Sequence, residues 1–475
     1  MTYHIPSPYK SSPGDYARVV LSFLSPITPQ STLRQALPAA YLNVYVEGSF
    51  DLDIYVDLNG QWISGDRGSR IEWDYIHENV ELGDGLKTWK VQRQQQALFT
   101  EIRDRAEWGT LYFTAPSDTQ HESGTSALLR QHFSKTGTLR NVNDNTFRGI
   151  MDDEPVFAFS KSFELGNGTT SNTGKAKGKT MFTIAYLQDP VVQYASARGM
   201  TDMRPLWKSY FLSDLSLISY HWDDFRHANI LSRNYTDQLA LDSYKSGSTN
   251  YMDIVALSAR QVLGATSFSG TPDNPILFLK EISSNGNCQT VDVIFPSFPF
   301  FAYTNPRWLA YLLEPLLEHQ LSGQYPNKYS MHDLGAHFPN ETGHPDGLDE
   351  YMPVEECGDM LIMGLALANS LRYGKQSSAQ SIWSTLGNKE LDNTPRDDSS
   401  VFPLPTADSM YLGPGDQISF IDDSWGGGAK GENQARKWLE KSYPLWKQWT
   451  QYLIDYSLEP HNQRTVHRSF LSKLN

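Results

Sequence analysis

From Val19 to about Tyr194, apolar and polar residues alternate with a period of two, and turn residues separate the runs. This is the pattern of half-buried antiparallel strands. In Asp51-Leu-Asp-Ile-Tyr-Val-Asp57, Leu52, Ile54 and Val56 fall on one face and the acids on the other. Asn59-Gly60 then predicts a two-residue hairpin turn, with Trp62-Ile63 opening the return strand. Further strands are expected at Tyr41–Glu47, Thr88–Val91, Thr110–Thr114, Val156–Phe163 and Thr180–Tyr186, a spacing that suits an antiparallel β-sandwich. The Gly- and Lys-rich stretch from Gly166 to Lys179 reads as an exposed loop.

After about Arg204 the period becomes helical. It begins with the aromatic-rich Trp207 to Trp222 and is clearest at Asp253 to Leu263, closed by Gly264. Pro306 and Pro353 each stand at the first turn of an expected helix, Arg307–Glu314 and Val354–Arg372, and Lys437–Tyr456 makes another. Long loops intervene at Leu321–Met352 and Gly374–Gly431, and Ser424–Lys430 reads as a flexible insertion. The expected organisation is a β-sandwich over 1–203, a helical linker over 204–238 and a helical domain over 239–475. At helical spacing, Trp207, Tyr210, Trp222, Trp308 and Tyr311 read as core more readily than as the lining of a pocket.

Composition narrows the function classes. The 475 residues carry 40 Lys+Arg against 54 Asp+Glu, a net charge of −14, and no basic run interrupts that acidity. Nucleic acid and anionic membranes are therefore excluded as expected partners, and a small polar substrate fits better. No stretch approaches the roughly 20 apolar residues of a membrane span, and the first ten residues show no apolar leader. Two cysteines, Cys288 and Cys357, form at most one disulfide. Asn167, Asn234 and Asn340 fit the N-glycosylation pattern, which matters only in a secretory pathway.

The densest titratable stretch runs from His332 to Glu356 and enters the Pro353 helix. Glu355 and Glu356 fall in that helix's first turn, where the macrodipole favours negative charge; this accounts for one of them structurally. The other, if turned inward, is a candidate acid or base, because paired carboxylates push one pKa upward. Asp349 and Glu350 form a second pair, and the sequence leaves open which pair is catalytic. Cys357 with His332 or His344 is a nucleophilic alternative that the adjacent carboxylates disfavour. His332, Asp333, His337 and His344 lack a recognised metal spacing, so no metal or cofactor is expected, and calcium on loop acids ranks above catalytic zinc. Arg260 and Arg307 are candidate clamps for a substrate carboxylate.

The segment Tyr325-Pro-Asn-Lys-Tyr-Ser-Met-His-Asp-Leu-Gly through Asp349-Glu350, then Tyr351-Met-Pro-Val-Glu-Glu-Cys-Gly-Asp-Met360, closely resembles the fungal glutaminase A family. Arg67–Trp73, Arg105–Trp108, Asp189–Val192, Ser258–Arg260, Gly264–Thr266 and Asn285–Asp292 carry the same resemblance. It implies a β-sandwich followed by an (α/α)6 six-hairpin toroid, an extracellular location, and hydrolysis of L-glutamine to release ammonia. Within the matched segment, Glu350, Glu356, Asp349 and Glu355 are the catalytic candidates, and His332, Asp333, His344 and Asp346 are candidates for binding substrate. The helices visible here are fewer than the twelve of a closed toroid, so an incomplete ring is expected, with a family continuation missing at both ends. A six-hairpin glycoside hydrolase using paired carboxylates, and a catalytically inactive remnant, are the alternatives.

Overall fold

The structure, a computed structural model, describes residues 1–8, 16–29, 31–166, 175–281, 285–335, 337–373 and 432–460. The N-terminal half is built on an eight-stranded antiparallel sheet. Its spatial order is Thr2–Pro6, Tyr16–Leu24, Ala39–Gly48, Ala176–Leu187, Thr110–Pro116, Leu86–Arg93, Arg70–His77 and Arg148–Gly149. A three-stranded sheet of Gln120–Thr125, Pro155–Phe163 and Leu52–Asn59 packs against it. The inward positions of both layers supply one apolar core, in which Phe113 meets Phe159 at 5.0 Å and Trp89 meets Phe157 at 5.8 Å. This is the sandwich that period-two alternation implies.

One turn differs from expectation. Gly60 does not enter a hairpin: Gly60–Trp62 form a 3-10 turn capped by the Asn59 side chain, and the next strand starts only at Arg70. Glycine is needed at 60 for space, since a Cβ there would stand 2.7 Å from Ile71 Cδ1 and 3.1 Å from Ile150 Cγ1.

Two short helices belong to this half, α1 (Thr32–Gln35) and α2 (Ser126–Thr136). Helix α1 joins the halves. Trp308 Nε1 donates to Thr32 Oγ1 at 2.9 Å, and Arg34 makes a buried bidentate pair with Asp224 at 2.7 and 2.8 Å.

The helical half comprises α3 (Asp214–Asp223), α4 (Phe225–Ser246), α5 (Thr249–Gly264), α6 (Val291–Thr304), α7 (Pro306–Leu321), α8 (Pro353–Tyr373) and α9 (Glu432–Tyr456). The expected Trp207–Trp222 helix resolves into a 3-10 turn over Leu206–Ser209 and then α3. Helix α4 is continuous across residue 239.

The hairpin and the helix after α5 went unanticipated. An antiparallel hairpin, Thr266–Thr271 with Asn274–Leu279, follows α5, and α6 forms despite Pro296 and Pro299. Both prolines sit on the exposed face, while Val291, Ile294 and Phe301 are fully buried, so tertiary packing outweighs the two lost amide donors. The loops assigned to Gly374–Gly431, with the insertion Ser424–Lys430, lie outside the described residues. Among the described residues of this half, five helices follow α4, fewer than a closed ring of twelve requires. No described helix is long and apolar enough to cross a membrane.

Candidate active site

The loop 285–291 and the segment 332–335 are laced together by backbone hydrogen bonds. Cys288 N–H donates to Gly335 O, Leu334 N–H to Cys288 O, and Val291 N–H to His332 O, at 3.2, 2.9 and 2.8 Å. Buried Gln289 pins the loop from below, donating to the Leu312 carbonyl at 2.6 Å and accepting from Leu279 N–H. Gly335 lets strand Asn340–Glu341 lie against it, for a Cβ would meet Thr342 N at 2.8 Å and Asn340 O at 2.9 Å. That strand runs parallel to Val192–Ser196 in a separate small sheet, and Asn340 Nδ2 donates to Phe99 O at 2.8 Å, so the N-terminal half helps moor the loop. Asp292, in the first turn of α6, is thereby set beside His332 and beside Glu356 in the first turn of α8.

Asp333 is the hub. Its oxygens accept from His332 Nδ1 at 2.8 Å, His344 Nε2 at 2.7 Å, Gly335 N–H at 2.8 Å and Asn287 Nδ2 at 3.2 Å. Burial alone pushes this carboxyl up, but the two histidines outweigh it and hold Asp333 below its ordinary value. Burial likewise works against charge on His332 and His344, and Asp333 reverses it, so both imidazoles are raised.

The other ring nitrogen of His332 faces three carboxylates. Nε2 lies 3.8 Å from Asp292, 3.8 Å from Glu356 and 3.9 Å from Glu350. These separations exceed hydrogen-bond length. Glu356 is fully buried and neither of its oxygens has a hydrogen-bond partner among the described residues, and burial raises it well above the carboxylate range. Asp292 is also raised by burial, and Asp359, one turn further along α8, is pushed up to about 7 by burial and by Glu355 and Asp292. Glu350, with 42% of its side chain exposed, is the accessible member.

The remaining candidates divide by position. Asp349 accepts from His332 N–H at 2.8 Å and from Tyr325 OH at 2.9 Å, so it braces the loop. Exposed Asp346 closes its own turn by accepting from Leu348 N–H. Glu355 adds negative charge beside Glu356 and Asp359. Neither arginine is brought to the cluster. Arg307 opens α7, at the end of the α6–α7 hairpin opposite Asp292, and its Nε donates to Asn305 Oδ1. Arg260 lines a groove of about 800 Å³ between the halves with Phe23, Tyr186 and Phe268. Trp207 and Trp308 are buried in core, as their spacing suggested.

Cys288 and Cys357 are buried free thiols, and burial pushes Cys357 up to about 12, which deprives it of the thiolate a nucleophile needs. Of the glycosylation candidates, Asn167 lies outside the described residues, Asn234 is within α4, and Asn340 donates its amide to Phe99 O at 2.8 Å. Sequence reasoning passed over Asp292, Asn287 and Asp359 as chemistry. Asp292 and Asn287 stood in the Asn285–Asp292 motif that carries the resemblance, and that motif's return beside the His332 loop was the available signal.

The fold and this site define a β-sandwich joined to a helical-hairpin domain, with a histidine ringed by carboxylates where two helix N-termini meet. Residues 248–388 match the family described as the glutaminase A six helical-hairpin domain, and residues 7–242 match a domain of unknown function, DUF5127. A probable glutaminase of Arthroderma benhamiae is 58% identical over 98% of this chain and 53% of its own length. Glutaminase A of Aspergillus oryzae is 43% identical over 76% of this chain and 51% of its own length. The chain thus spans about half the length of the curated relatives it matches. It belongs to the fungal glutaminase A family.

Proposed function

We propose that this chain is a glutaminase-like amidohydrolase that releases ammonia from L-glutamine at the His332 cluster. The observation that carries the reading is the sealed, unpartnered Glu356 carboxyl 3.8 Å from His332 Nε2, beside the solvent-reaching Glu350. Glu350 is the group placed to take a proton from attacking water. Positive charge held at the Nε2 face of His332 polarises the amide carbonyl and stabilises the oxyanion of the tetrahedral intermediate. Asp333 keeps the imidazole in one orientation, and Glu350, having taken the proton of the water, returns it to the departing ammonia. The substrate's ammonium is attracted by the surplus of carboxylates around the pocket. The names of both relatives support the same reading.

A glycosidase site would set its two carboxylates about 5–5.5 or 6.5–9.5 Å apart across an open bond. Asp292 and Glu356 offer oxygens within 4.8 Å of each other, and Glu356 is closed to solvent, which favours the amide reading. The test is an ammonia-release assay with L-glutamine and L-asparagine, run beside Glu350→Gln. Release from glutamine that collapses in the variant is the expected result. A folded chain that leaves glutamine intact while cleaving a glycoside overturns the reading.

A further inference from the structure

Resting on the assignment of this pocket as the catalytic site, we propose that Asp292, His332 and Glu356 together bind one divalent transition-metal ion of the zinc class. One nitrogen and two carboxylate oxygens from these residues lie within 4.8 Å of one another. Ligands bonded at about 2.1 Å to a shared tetrahedral ion stand roughly 3.4 Å apart. The observed 3.8 Å from Nε2 to each carboxylate is slightly wider, so each acid need only swing inward a little to close on an ion.

Three further observations agree. Glu356 is fully buried with both oxygens lacking a hydrogen-bond partner among the described residues, and its Oε1 lies 3.8 Å from His332 Nε2. An ionised carboxylate in that position is costly without a cation. The second is the support behind His332. Asp333 collects four donors, His332 Nδ1–H among them, which turns Nε2 toward the carboxylates, where a bound ion would take the place of a proton. A carboxylate behind a histidine is the arrangement that orients metal-binding imidazoles. Three carboxyl groups around one ring nitrogen favour positive charge between them.

The third is the donor set. A histidine nitrogen with two carboxylates suits zinc or manganese, whereas calcium asks for six to eight oxygens and magnesium keeps most of its water. Three protein ligands leave a position for water or a substrate carbonyl, and Glu350, 3.9 Å from Nε2 at the rim, is placed to deprotonate that water. The ligand set differs from the His332, Asp333, His337 and His344 grouping considered from sequence. Asp333 is occupied by its two histidines, and His337 is exposed.

The experiment uses the full chain, stripped with a chelator and titrated with Co²⁺ as a visible probe, then challenged with Zn²⁺. One equivalent of Co²⁺ should bind with a d–d absorption band that Zn²⁺ abolishes. Asp292→Asn and Glu356→Gln should lose the band, and Asp333→Asn should bind about 10–100-fold more weakly. Glu440→Gln, on the exposed face of α9, should bind as the wild type does. Far-UV circular dichroism checks each fold, and if Glu356→Gln fails to fold, the partly exposed Asp292→Asn decides the matter. A folded wild-type chain that takes up no stoichiometric ion, or variants that all keep the band, overturns the proposal. Undiminished ammonia release without any bound ion overturns the metal site and leaves the hydrolase standing. A bound ion without ammonia release upholds the site and overturns the hydrolase.

Discussion

Both halves of the molecule bury acidic side chains with partners, Asp224 and Asp333 among them in the helical half. The helical half also buries two that lack a hydrogen-bonded cation among the described residues. In the sandwich, fully buried Glu107 meets Arg93 at 2.8 Å and accepts from Ser64 Oγ at 2.6 Å and Gly65 N–H at 2.8 Å. Buried Glu122 is held by the Arg140 guanidinium and by its backbone N–H at 2.8 Å. In the helical half, Glu356 has no partner for either oxygen among the described residues, and fully buried Glu341 sits beside the Cys288 thiol. Paired burial is explained by architecture. Uncompensated burial costs stability, and a folded protein retains it where the charge is used.

The comparison is tested first where the effect is largest. Glu350→Gln should lower kcat for ammonia release by about 10²–10⁴-fold while the unfolding free energy stays within about 0.5 kcal/mol of wild type. A loss confined to stability would mean that the exposed carboxylate has no chemical role. Glu107→Ala should do the reverse. By guanidinium denaturation it should cost about 3–5 kcal/mol, because Arg93, Ser64 and Gly65 all lose their acceptor.

The pH responses of the two halves should also oppose each other. A carboxyl raised in the folded state keeps its proton while the unfolded chain releases one, so stability falls as pH climbs from the ordinary value to the folded one. For Asp359 that window runs from 3.8 to about 7, and Asp359→Asn should flatten the loss when denaturation midpoints are compared across it. In the sandwich, the Ser126 hydroxyl, Asn59 and Arg130 hold Glu154 below its ordinary range. Its contribution is present above that ordinary value and is lost as pH falls through the folded one, so Glu154→Gln should reduce stability at neutral pH and little in acid. The smallest expected effect is that of Asp333→Asn on catalysis, a shift in the pH profile of kcat/KM toward that of an unsupported imidazole. An unchanged profile would reduce Asp333 to scaffolding.

The sandwich was legible because alternation reports its own register: the strands around Val44, Trp89, Phe113, Phe157 and Phe182 each declare a buried face locally. Helices α5, α7, α8 and α9 were legible by period and by proline at the first turn. Helix α6 was hidden because Pro296 and Pro299 argue against a helix locally, and only the packing of Ile294 and Phe301 settles the contest. The site was half legible. The density of acids marked 332–356, but Asp292 lies far back along the chain and joins it only through the backbone ladder between 288 and 335. Nor does sequence separate the brace Asp349 from the open Glu350, since adjacent residues of one type differ only in which way the folded loop turns them.

The two-residue strand Asn340–Glu341, seated on Val192–Ser196, makes the sandwich something other than a passenger. With Asn340 also tied to Phe99, and Lys280 to Glu101, the reactive loop is guyed from outside its own domain. Severing the two halves would therefore slacken the histidine's bearing together with the Thr32–Trp308 and Arg34–Asp224 ties to the helices. Changes on the sandwich rim near Phe99 and Glu101 become a route to tuning turnover from a distance.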